Sequence, residues 1–496
     1  MNYISTRDPG VRVSASRAIS SGISAEGGLF VPESIPKISL DEIAALAEKD
    51  YQGRARDILG RFLTDFTAEE LAACVDGAYG EGFSSKDIAP VVKMENGVYV
   101  LELFRGPTCA FKDMALQMLP RLMTTANSKV AKGIETVILV ATSGDTGKAA
   151  LEGFKDVENT RILVFYPSDG VSKVQKMQMC TQEGKNVAVC AIKGNFDDAQ
   201  TGVKKIFTDK AIAEKLKANG KAFSSANSIN WGRLAPQIVY YFSAYCDLVK
   251  TGAIKCGDKI NFVVPTGNFG NILAAYYARE MGLPAAKLIC ASNKNSVLTE
   301  FLTTGVYNRN RQFYTTISPS MDILVSSNLE RLLYHIAGSE KVKEWMSLLA
   351  SEGRYEVDGE TFAKISEIFA AGCCDDEKTK ATIAEKYGKY GYLCDTHTAV
   401  AAAVCDSYRK ESGDGAVTVI ASTASPFKFT GSVLEAIDGP QEGLDEFEMA
   451  DKLAEVTNIE CPAPLKGLKD KPIRFNGCCG KDSAEMEKAV FDMLNI

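Results

Sequence analysis

One lysine, Lys112, stands where a chemically active amine is expected. It lies between the turn Gly106-Pro107-Thr108 and a helical pattern that begins at Met114. The amino end of a helix already carries partial positive charge, so a lysine there is electrostatically unfavourable. Positive potential and partial burial lower the pKa of an amine, which then becomes nucleophilic enough to form a Schiff base. Taken alone, the tripeptide Phe111-Lys112-Asp113 is more typical of a solvated lysine beside a capping aspartate.

A second segment has the form of a phosphate-binding turn. An apolar run ends at Pro265, and a helical pattern covers residues 272–280. The glycine-rich turn between them offers free backbone N–H groups that can approach an anion closely. It matches neither the dinucleotide fingerprint nor the Walker A loop. We predict a phosphate cup, with an ordinary capped turn as the alternative, formed by Gly267, Asn268, Phe269, Gly270 and Asn271.

Two loops rich in hydroxyl groups follow other apolar runs. The first has the amides and hydroxyls to bind a small anion such as a carboxylate, and it consists of Thr142, Ser143, Gly144, Asp145 and Thr146. Its glycines are too closely spaced before Lys148 for a Walker A loop, which argues against a nucleoside triphosphate. The second loop, residues 421–426, carries a neutral hydroxyl that suits a ring nitrogen. By itself it is more typical of a structural turn.

Alternating apolar runs and helical patterns are expected to position these loops. The runs predicted to be buried strands are residues 136–141, 161–166, 186–192, 260–264, 287–291 and 416–421. Such alternation predicts an α/β fold with open, mainly parallel sheets and a site at the carboxyl ends of the strands. We predict a helical N-terminal domain over 1–95, with helices near 41–47 and 68–79. A catalytic region of two subdomains over 96–440 includes a helical insertion at about 340–390. A charged, irregular extension over 441–496 is expected to pack on that region.

Composition limits the classes of function. The chain has 496 residues, 46% of them hydrophobic and 24% charged, which is ordinary for a globular protein. A formal charge of -7 argues against nucleic acid or an anionic membrane as the main partner. The sequence shows no secretory signal and no apolar run long enough for a membrane span, so we expect a cytoplasmic protein.

Histidine and cysteine usage narrows the chemistry further. The chain has only two histidines, His335 and His397, which makes a histidine-cluster metal site and a Ser-His-Asp mechanism improbable. The fourteen cysteines form no CxxC motif, so neither a disulfide framework nor a zinc knuckle is indicated. Lysine is therefore the expected acid and base, and we predict no metal.

Taken together, these segments resemble the threonine synthases, a family of fold type II pyridoxal-phosphate enzymes of the tryptophan synthase beta-like superfamily. The resemblance covers nearly the whole chain, and its motifs occur in the family's order. They are Tyr3-Ile-Ser-Thr-Arg7 with Gly27-Gly28-Leu29-Phe30-Val31-Pro32, Ala110-Phe111-Lys112-Asp113, Thr142 to Gly147, Asn227-Ser228-Ile229-Asn230-Trp231, Gly267 to Asn271 and Ser422 to Phe429.

The resemblance implies pyridoxal 5'-phosphate as cofactor and assigns a role to each motif. Lys112 would carry the cofactor as a Schiff base, residues 267–271 would hold its phosphate, and Thr423 would face its pyridine nitrogen. The loop at residues 142–146 would take the substrate carboxylate. Relatives on the wider fold often have asparagine at the position of Asp145, where it contacts the ring oxygen of the cofactor.

The implied reaction converts O-phospho-L-homoserine and water to L-threonine and phosphate, in threonine biosynthesis. Lys112, once displaced by the substrate amine, would shuttle protons to the alpha and beta carbons. The substrate phosphate needs a cationic site of its own, for which Lys148, Lys173 and the segment after Ala226 are candidates. We favour Asn227, Ser228, Asn230 and Arg233, although a simple helix cap explains this segment equally well.

Three alternatives stay open at this stage. A threonine synthase-like phospho-lyase would act on O-phosphothreonine, but those relatives tend to lose the asparagine and phenylalanine that this chain keeps as Asn268 and Phe269. Dehydratase or sulfhydrylase activity occurs on the same fold. A non-catalytic protein could retain the fold, against which the intact lysine and loops argue. The protein is expected to be a monomer or a homodimer.

Overall fold

The computed structural model describes residues 1–142, 144–169 and 171–496. Two open sheets dominate the fold, and helices cover their faces. The predicted α/β architecture with mainly parallel sheets is therefore confirmed. Among the helices described, none combines the length and the apolar character that crossing a membrane requires.

The N-terminal region pairs four helices with a small antiparallel sheet. The predicted helices near 41–47 and 68–79 are confirmed, whereas the three-stranded sheet, of order β2-β1-β3, was not predicted. Its elements are β1 (Tyr3–Ser5), β2 (Arg12–Val13), α1 (Ala15–Ser21), β3 (Phe30–Pro32), α2 (Leu40–Ala47), α3 (Tyr51–Phe62) and α4 (Ala68–Ala78).

The next part of the chain contains the first α/β unit and the long helix that follows it. Its elements are β4 (Val91–Glu95), β5 (Val98–Glu102), α5 (Asp113–Leu116), α6 (Leu119–Val130), β6 (Glu135–Ala141), α7 (Asp145–Phe154), β7 (Thr160–Pro167), α8 (Lys173–Cys180), β8 (Val187–Lys193), α9 (Phe196–Thr208), α10 (Lys210–Ala218), β9 (Lys221–Ser224) and α11 (Trp231–Lys250). Strands β6, β7 and β8 are three of the predicted strands, and their central residues are buried.

The remaining elements complete the second sheet and the C-terminal extension. They are β10 (Ile260–Pro265), α12 (Gly270–Met281), β11 (Ala285–Ser292), α13 (Val297–Thr304), β12 (Val306–Asn308), α14 (Leu329–Ser351), β13 (Arg354–Glu356), α15 (Gly359–Ile368), β14 (Phe369–Cys373), α16 (Asp376–Tyr390), α17 (Thr396–Ser412), β15 (Thr418–Ser422), α18 (Thr430–Asp438), α19 (Glu446–Thr457), β16 (Cys478–Gly480) and α20 (Ser483–Leu494). Short 3-10 helices cover Pro319–Met321, Pro426–Lys428 and Leu468–Asp470.

The two large sheets have different strand orders. One has six strands in the order β14-β11-β10-β15-β5-β4, in which only the β4–β5 pair is antiparallel. The other has five parallel strands in the order β16-β8-β7-β6-β9. Strands of a parallel sheet covered on both faces read as continuous apolar runs, which is why the predicted strands β6, β7, β8, β10, β11 and β15 were visible in the sequence.

Two segments differ from their predicted character. The stretch at about 340–390 is mostly helical but also supplies β14, which pairs in parallel with β11 at the edge of the six-stranded sheet. The extension after residue 440 is not irregular throughout, because it forms α19 and α20 and adds β16 to the five-stranded sheet. Both strands are short edge strands, whose apolar pattern is weak.

Helix α11 forms the centre of the packing between the N-terminal region and the six-stranded sheet. Seventeen of its residues are buried, and it contacts α2, α3, α5 and α12. Arg54 of α3 is 3% exposed and joins α3 to this helix. Its guanidinium donates to the carbonyl of Leu46 (3.0 Å), to Ser243 Oγ (2.8 Å) and to Asp247 Oδ1 (2.6 Å).

We expect Arg54→Met to lower the free energy of unfolding by about 3 kcal/mol, because buried carbonyl groups and the half-buried Asp247 would lose their donor. Chemical denaturation followed by circular dichroism measures this. The matched control is Arg56→Met, since Arg56 pairs with Asp76 on the surface of the same region, and exposed pairs contribute at most about 1 kcal/mol. Equal losses in the two variants would contradict the prediction.

Candidate active site

The segment that carries Lys112 is fixed by the turn before it and by the end of β15. Asp113 accepts hydrogen bonds from the backbone N–H (2.8 Å) and the hydroxyl (2.7 Å) of Thr108, which closes the turn. On the other side, the N–H of Phe111 donates to the carbonyl of Thr423 at 2.8 Å, and the N–H of Ser425 to the carbonyl of Cys109 at 3.0 Å. These bonds form a short antiparallel contact that holds Lys112 beside the second hydroxyl-rich loop.

The amine of Lys112 is held in a largely buried position. The residue is 9% exposed, so the solvated lysine that its local sequence favoured is not what the structure contains. Its Nζ donates to Ser320 Oγ at 3.3 Å and lies 3.9 Å from Asp145 Oδ2. Burial lowers the pKa of Lys112 to about 8, although Asp145 opposes this shift. About a tenth of the amine is therefore neutral, and nucleophilic, at pH 7, far more than for an exposed lysine.

The predicted phosphate cup lies at the carboxyl end of β10, where α12 begins. The backbone N–H groups of Gly267, Asn268 and Phe269 donate no hydrogen bond within the described residues, and the first N–H groups of a helix have no partner inside it. Phe269 has a φ of 63°, a left-handed conformation that turns the chain sharply into α12. A Cβ atom on Gly267 would lie 2.8 Å from the carbonyl oxygen of Ser320, so only glycine fits there.

Asn271, the last residue of the predicted cup, is oriented by two tyrosines of α11. Its Oδ1 accepts hydrogen bonds from the hydroxyls of Tyr240 (2.5 Å) and Tyr241 (2.6 Å). The amide nitrogen is buried and has no partner among the described residues. A donor left in this state is costly unless a ligand accepts from it.

The loop at residues 142–146 contains a buried carboxylate, that of Asp145. Ser143 lies outside the described residues, and the hydroxyl of Thr142 accepts from the N–H groups of Gly144 and Gly147, both at 3.0 Å, which stabilises the loop itself. Asp145 is buried and pairs with Lys428 at 2.7 Å. Gly144 has a φ of 150°, and a Cβ there would overlap Gln175, whose Nε2 donates to Asp145 at 2.9 Å.

Asp145 is therefore ionised in an unusual setting. Burial by itself would raise the pKa of Asp145, but the ammonium groups of Lys428 and Lys112 outweigh this effect and hold it well below its ordinary value. Thr146 is half-buried near the start of α7. With Thr142 bonded to its own backbone, the described part of this loop can offer a substrate carboxylate the N–H groups of Asp145 and Thr146 and the hydroxyl of Thr146.

Thr423 occupies the end of β15 and is 6% exposed. Its carbonyl is bonded to Phe111, while its hydroxyl has no hydrogen-bond partner among the described residues. A free hydroxyl on the strand next to the lysine segment is compatible with the predicted contact to a ring nitrogen, which stays a prediction.

The segment before α11 combines a structural cap with a buried cation. Asn230 is the N-cap of the helix, and its side chain bonds to Gly232 N–H, Ile19 carbonyl and Ser225 carbonyl, so the helix-cap alternative explains this residue. Asn227 is exposed. Ser228 is half-buried and accepts from Asn328 Nδ2 at 3.3 Å.

Arg233 is the cation whose environment points to an anionic ligand. It is 4% exposed, its Nη1 donates to the carbonyl of Ala226 at 2.6 Å, and its Nε has no partner within the part of the chain that is described. Burial lowers its pKa to about 10, and its charge in turn helps to lower the pKa of Lys112. A buried cation without a counter-ion is unfavourable, so the site favours an incoming anion.

The two other candidate cations already have partners. Lys148 Nζ lies 2.8 Å from Glu152 Oε2, and Lys173 Nζ lies 2.7 Å from Asp445 Oδ2 at an exposed position. Of Lys148, Lys173 and Arg233, Arg233 is thus the cation that remains available to bind a phosphate.

Several residues of the site were not predicted from the sequence. Lys428 has no exposed side-chain surface, and its place between two phenylalanines in Pro426-Phe427-Lys428-Phe429 was the available indication of burial. Ser320 lies far along the chain, in the 3-10 helix Pro319–Met321, and its N–H donates to His397 Nε2 at 3.1 Å. Asn328 donates its N–H to the carbonyl of Asn268 at 3.1 Å and so connects the cup to Ser228.

Three family models match the chain in succession. "Threonine synthase N terminus" matches residues 2–79, "Pyridoxal-phosphate dependent enzyme" matches residues 85–369, and "Threonine synthase, C-terminal" matches residues 398–490. The second match covers more than half of the chain, so the fold and site are those of a pyridoxal-phosphate-dependent enzyme. The two flanking matches are specific to one group of such enzymes.

Similarity to individual proteins agrees with these models. The chain is 37% identical to the threonine synthase of Pseudomonas aeruginosa, over 95% of this chain and 100% of that protein. It superposes on the pyridoxal-phosphate-bound threonine synthase of Brucella melitensis with a TM-score of 0.89 and 35% identity, covering 99% of each chain. The yeast threonine synthase structure gives a TM-score of 0.89 at 32% identity, over 100% of this chain and 99% of that one. The chain belongs to the threonine synthase family.

A further relative is longer than this chain. Human threonine synthase-like 1 is 40% identical over 88% of this chain, and the match spans 60% of the length of the human protein.

The residues present fit pyridoxal phosphate, the cofactor of this family. They provide a buried amine of lowered pKa, a glycine-lined turn with free N–H groups, an amide donor without a partner and an unpaired hydroxyl. The side chains and backbone groups that would hold the cofactor belong to Lys112, Gly267, Asn268, Phe269, Gly270, Asn271 and Thr423.

We expect Gly267→Ala to weaken cofactor binding by roughly tenfold, because the new methyl group has to displace the backbone at Ser320 and distort the cup. Titration of cofactor-free protein with pyridoxal phosphate, followed by absorbance, measures the dissociation constant. The control is Gly388→Ala in α16, where an added Cβ meets no atom within 4 Å. Unchanged affinity in Gly267→Ala would argue against the cup as the phosphate site.

Proposed function

We propose that this protein is a threonine synthase, which converts O-phospho-L-homoserine and water to L-threonine and phosphate. The observation that carries the proposal is that two features near Lys112 could each accept an anion. One is the turn at residues 267–271, and the other is Arg233, which is buried and has no ion-pair partner among the described residues. A cofactor phosphate and a substrate phosphate need two such sites.

The residues around the amine suggest how the reaction proceeds. Pyridoxal phosphate, when bound, withdraws electrons from the substrate carbon that carries the amino group. Lys112 Nζ would hold the cofactor covalently. Once released, it would take a proton from each of the alpha and beta carbons of the substrate and return protons to the gamma carbon, which loses phosphate, and to the alpha carbon, while water adds at the beta carbon. Its pKa of about 8 suits both tasks near neutral pH. Arg233 holds the phosphate that leaves, with Ser228 and Asn227 beside it.

The remaining roles are proposals of the same kind. Thr423 would donate to or accept from the pyridine nitrogen without a formal charge, and the N–H groups of the loop 142–146 would bind the substrate carboxylate. We further propose the division of the chain at 95/96 and 440/441, a cytoplasmic location, and a monomer or homodimer as the assembly.

A phospho-lyase that acts on O-phosphothreonine is the second candidate function. It is favoured by the identity of 40% to human threonine synthase-like 1, which is as high as that to the threonine synthases reported above. Against it, this chain keeps Asn268 and Phe269 in the cup. Both reactions would use the same amine and the same phosphate site. They can therefore be distinguished only by their substrate and product.

We expect the purified protein with cofactor to be yellow and to lose the visible band in Lys112→Ala, because the variant has no amine to bind the cofactor covalently. Absorbance after gel filtration and mass spectrometry after borohydride reduction detect the linkage. Lys176→Ala, which removes an exposed lysine of α8, is the control. A reduced cofactor adduct on any other lysine would overturn the assignment.

We expect Arg233→Gln to raise the KM for O-phospho-L-homoserine by about tenfold or more, since a charge-assisted contact to phosphate is lost. Steady-state release of phosphate, with threonine measured as product, tests this. Lys173→Gln is the control, because Lys173 is exposed and already paired. The same assay with O-phosphothreonine decides between the two candidate functions, and release of phosphate from that substrate alone would reject threonine synthase activity.

A further inference from the structure

Lys428 is a buried ammonium group that contacts the site through an aspartate. Its side chain has no exposed surface, and its Nζ lies 2.7 Å from Asp145 Oδ1 and donates to the carbonyl of Thr108 at 3.0 Å. The other carboxylate oxygen of Asp145 faces Lys112, at 3.9 Å from its Nζ. Two lysines thus share a single carboxylate in a buried setting.

The two lysines are not equivalent partners of Asp145. Lys428 is the closer one, at 2.7 Å against 3.9 Å, and Coulomb attraction weakens with distance. Gln175 occupies a further hydrogen-bonding position on the same oxygen as Lys428, at 2.9 Å. Lys428 is therefore the main counter-ion of the Asp145 carboxylate. The distance of 3.9 Å to Lys112 is long for an ion pair.

The cations near Lys112 favour its neutral form, whereas the carboxylates Asp145 and Asp113 oppose them. The titratable and charged groups that influence Lys112 are Asp145, Lys428, Arg233 and Asp113, and both cations favour the neutral amine. Those that influence Asp145 are Lys428 and Lys112. Without Lys428, Lys112 would be the remaining cation in contact with the Asp145 carboxylate and would hold its proton more firmly.

We propose that Lys428 is a positioning residue that acts as the counter-ion of Asp145 and so releases Lys112 from this task, leaving the Lys112 amine free to lose its proton. The proposal rests on the proposed function, in which Lys112 carries the cofactor. It assigns a role to a residue that does not touch the reacting atoms. It also explains why an aspartate is compatible with a lysine that must be neutral to react.

A purely structural role for Lys428 is the competing explanation. Its bond to Thr108 ties the 3-10 helix Pro426–Lys428 to the turn that also binds Asp113, so its loss would destabilise the protein in either case. Stability alone cannot separate the two explanations. The pKa of Lys112 can separate them. A purely structural role of Lys428 predicts no change in this pKa when the charge of Lys428 is removed, whereas a role as counter-ion predicts a change.

The experiment measures the pKa of Lys112 in the cofactor-free, full-length protein. Acetic anhydride labels neutral amines, and the labelled fraction of the Lys112 peptide is determined by mass spectrometry as a function of pH. We expect Lys428→Met to raise the pKa of Lys112 by about one unit or more, so that labelling near pH 7 slows roughly tenfold. Lys428→Gln, which keeps a hydrogen-bond donor but no charge, should shift the pKa in the same direction.

Two further variants complete the cycle. Asp145→Asn should lower the pKa of Lys112, because the carboxylate that stabilises its ammonium form is removed. The double variant Lys428→Met with Asp145→Asn carries no unbalanced charge from this pair, and the pKa of Lys112 should return toward the wild-type value. Should Lys428→Met fail to fold, Lys428→Gln and the double variant still give the answer.

The matched control is Lys386→Met. Lys386 of α16 is 2% exposed and pairs with Glu95 of β4 and Asp406 of α17, and it is not among the charges that influence Lys112. It should lower stability without moving the pKa of Lys112. An unchanged labelling profile in folded Lys428→Met and Lys428→Gln would overturn the inference, while loss of the cofactor band in Lys112→Ala would still support the proposed function. Conversely, a cofactor adduct on another lysine would defeat the proposed function and leave the labelling result intact.

Discussion

The short antiparallel contact between residues 109–111 and 423–425 is the constraint on which the site depends. It joins the lysine segment, which follows β5, to the end of β15, the neighbouring strand of the six-stranded sheet. Through it, Lys112 comes to the same edge of the sheet as Thr423 and Lys428, although more than 300 residues separate it from them. The carboxyl ends of parallel strands are where such sheets place their ligands.

A second constraint is the balance of buried charge around Lys112. Lys112, Lys428 and Arg233 are buried cations, and Asp145 and Asp113 are the buried carboxylates closest to them. Asp113 is bonded to Thr108, and burial raises its pKa to about 6. Positive charge is therefore in excess, which favours the binding of anions and lowers the cost of deprotonating the lysine. A site of this kind is suited to phosphorylated ligands.

The N-terminal region takes part in this arrangement through the start of α14. Arg7 and Thr6 bind Glu330, with distances of 2.8 Å from Arg7 Nη2 and 2.6 Å from Thr6 Oγ1. The neighbouring Arg331 is fully buried and donates to the carbonyl of Phe30 and to Asn328 Oδ1. Asn328 in turn contacts both the cup at Asn268 and the loop at Ser228. The small antiparallel sheet thereby supports the turn at residues 267–271 and the segment before α11 from outside the two large sheets.

The sequence by itself determined the parts of this protein that depend on local pattern. Six buried parallel strands were predicted from their continuous apolar runs, and the glycine-rich turn at residues 267–271 was predicted from its position between a strand and a helix. Family motifs added the cofactor and the role of Lys112, whose tripeptide alone pointed to a surface residue. Edge strands such as β14 and β16 were not predicted, because short strands at the edge of a sheet have only a weak apolar pattern.

Tertiary structure decided which polar groups are already satisfied and which remain available. Asn230 and Arg233 are three residues apart, yet one is a bonded helix cap and the other is a buried cation for which the described residues provide no counter-ion. Lys148 and Lys173 had the right charge, but Glu152 and Asp445 neutralise them. Lys428 meets Asp145 across some 280 residues of chain. Hydrogen bonds and ion pairs between distant segments depend on how the sheets bring loops together, and no local pattern records that.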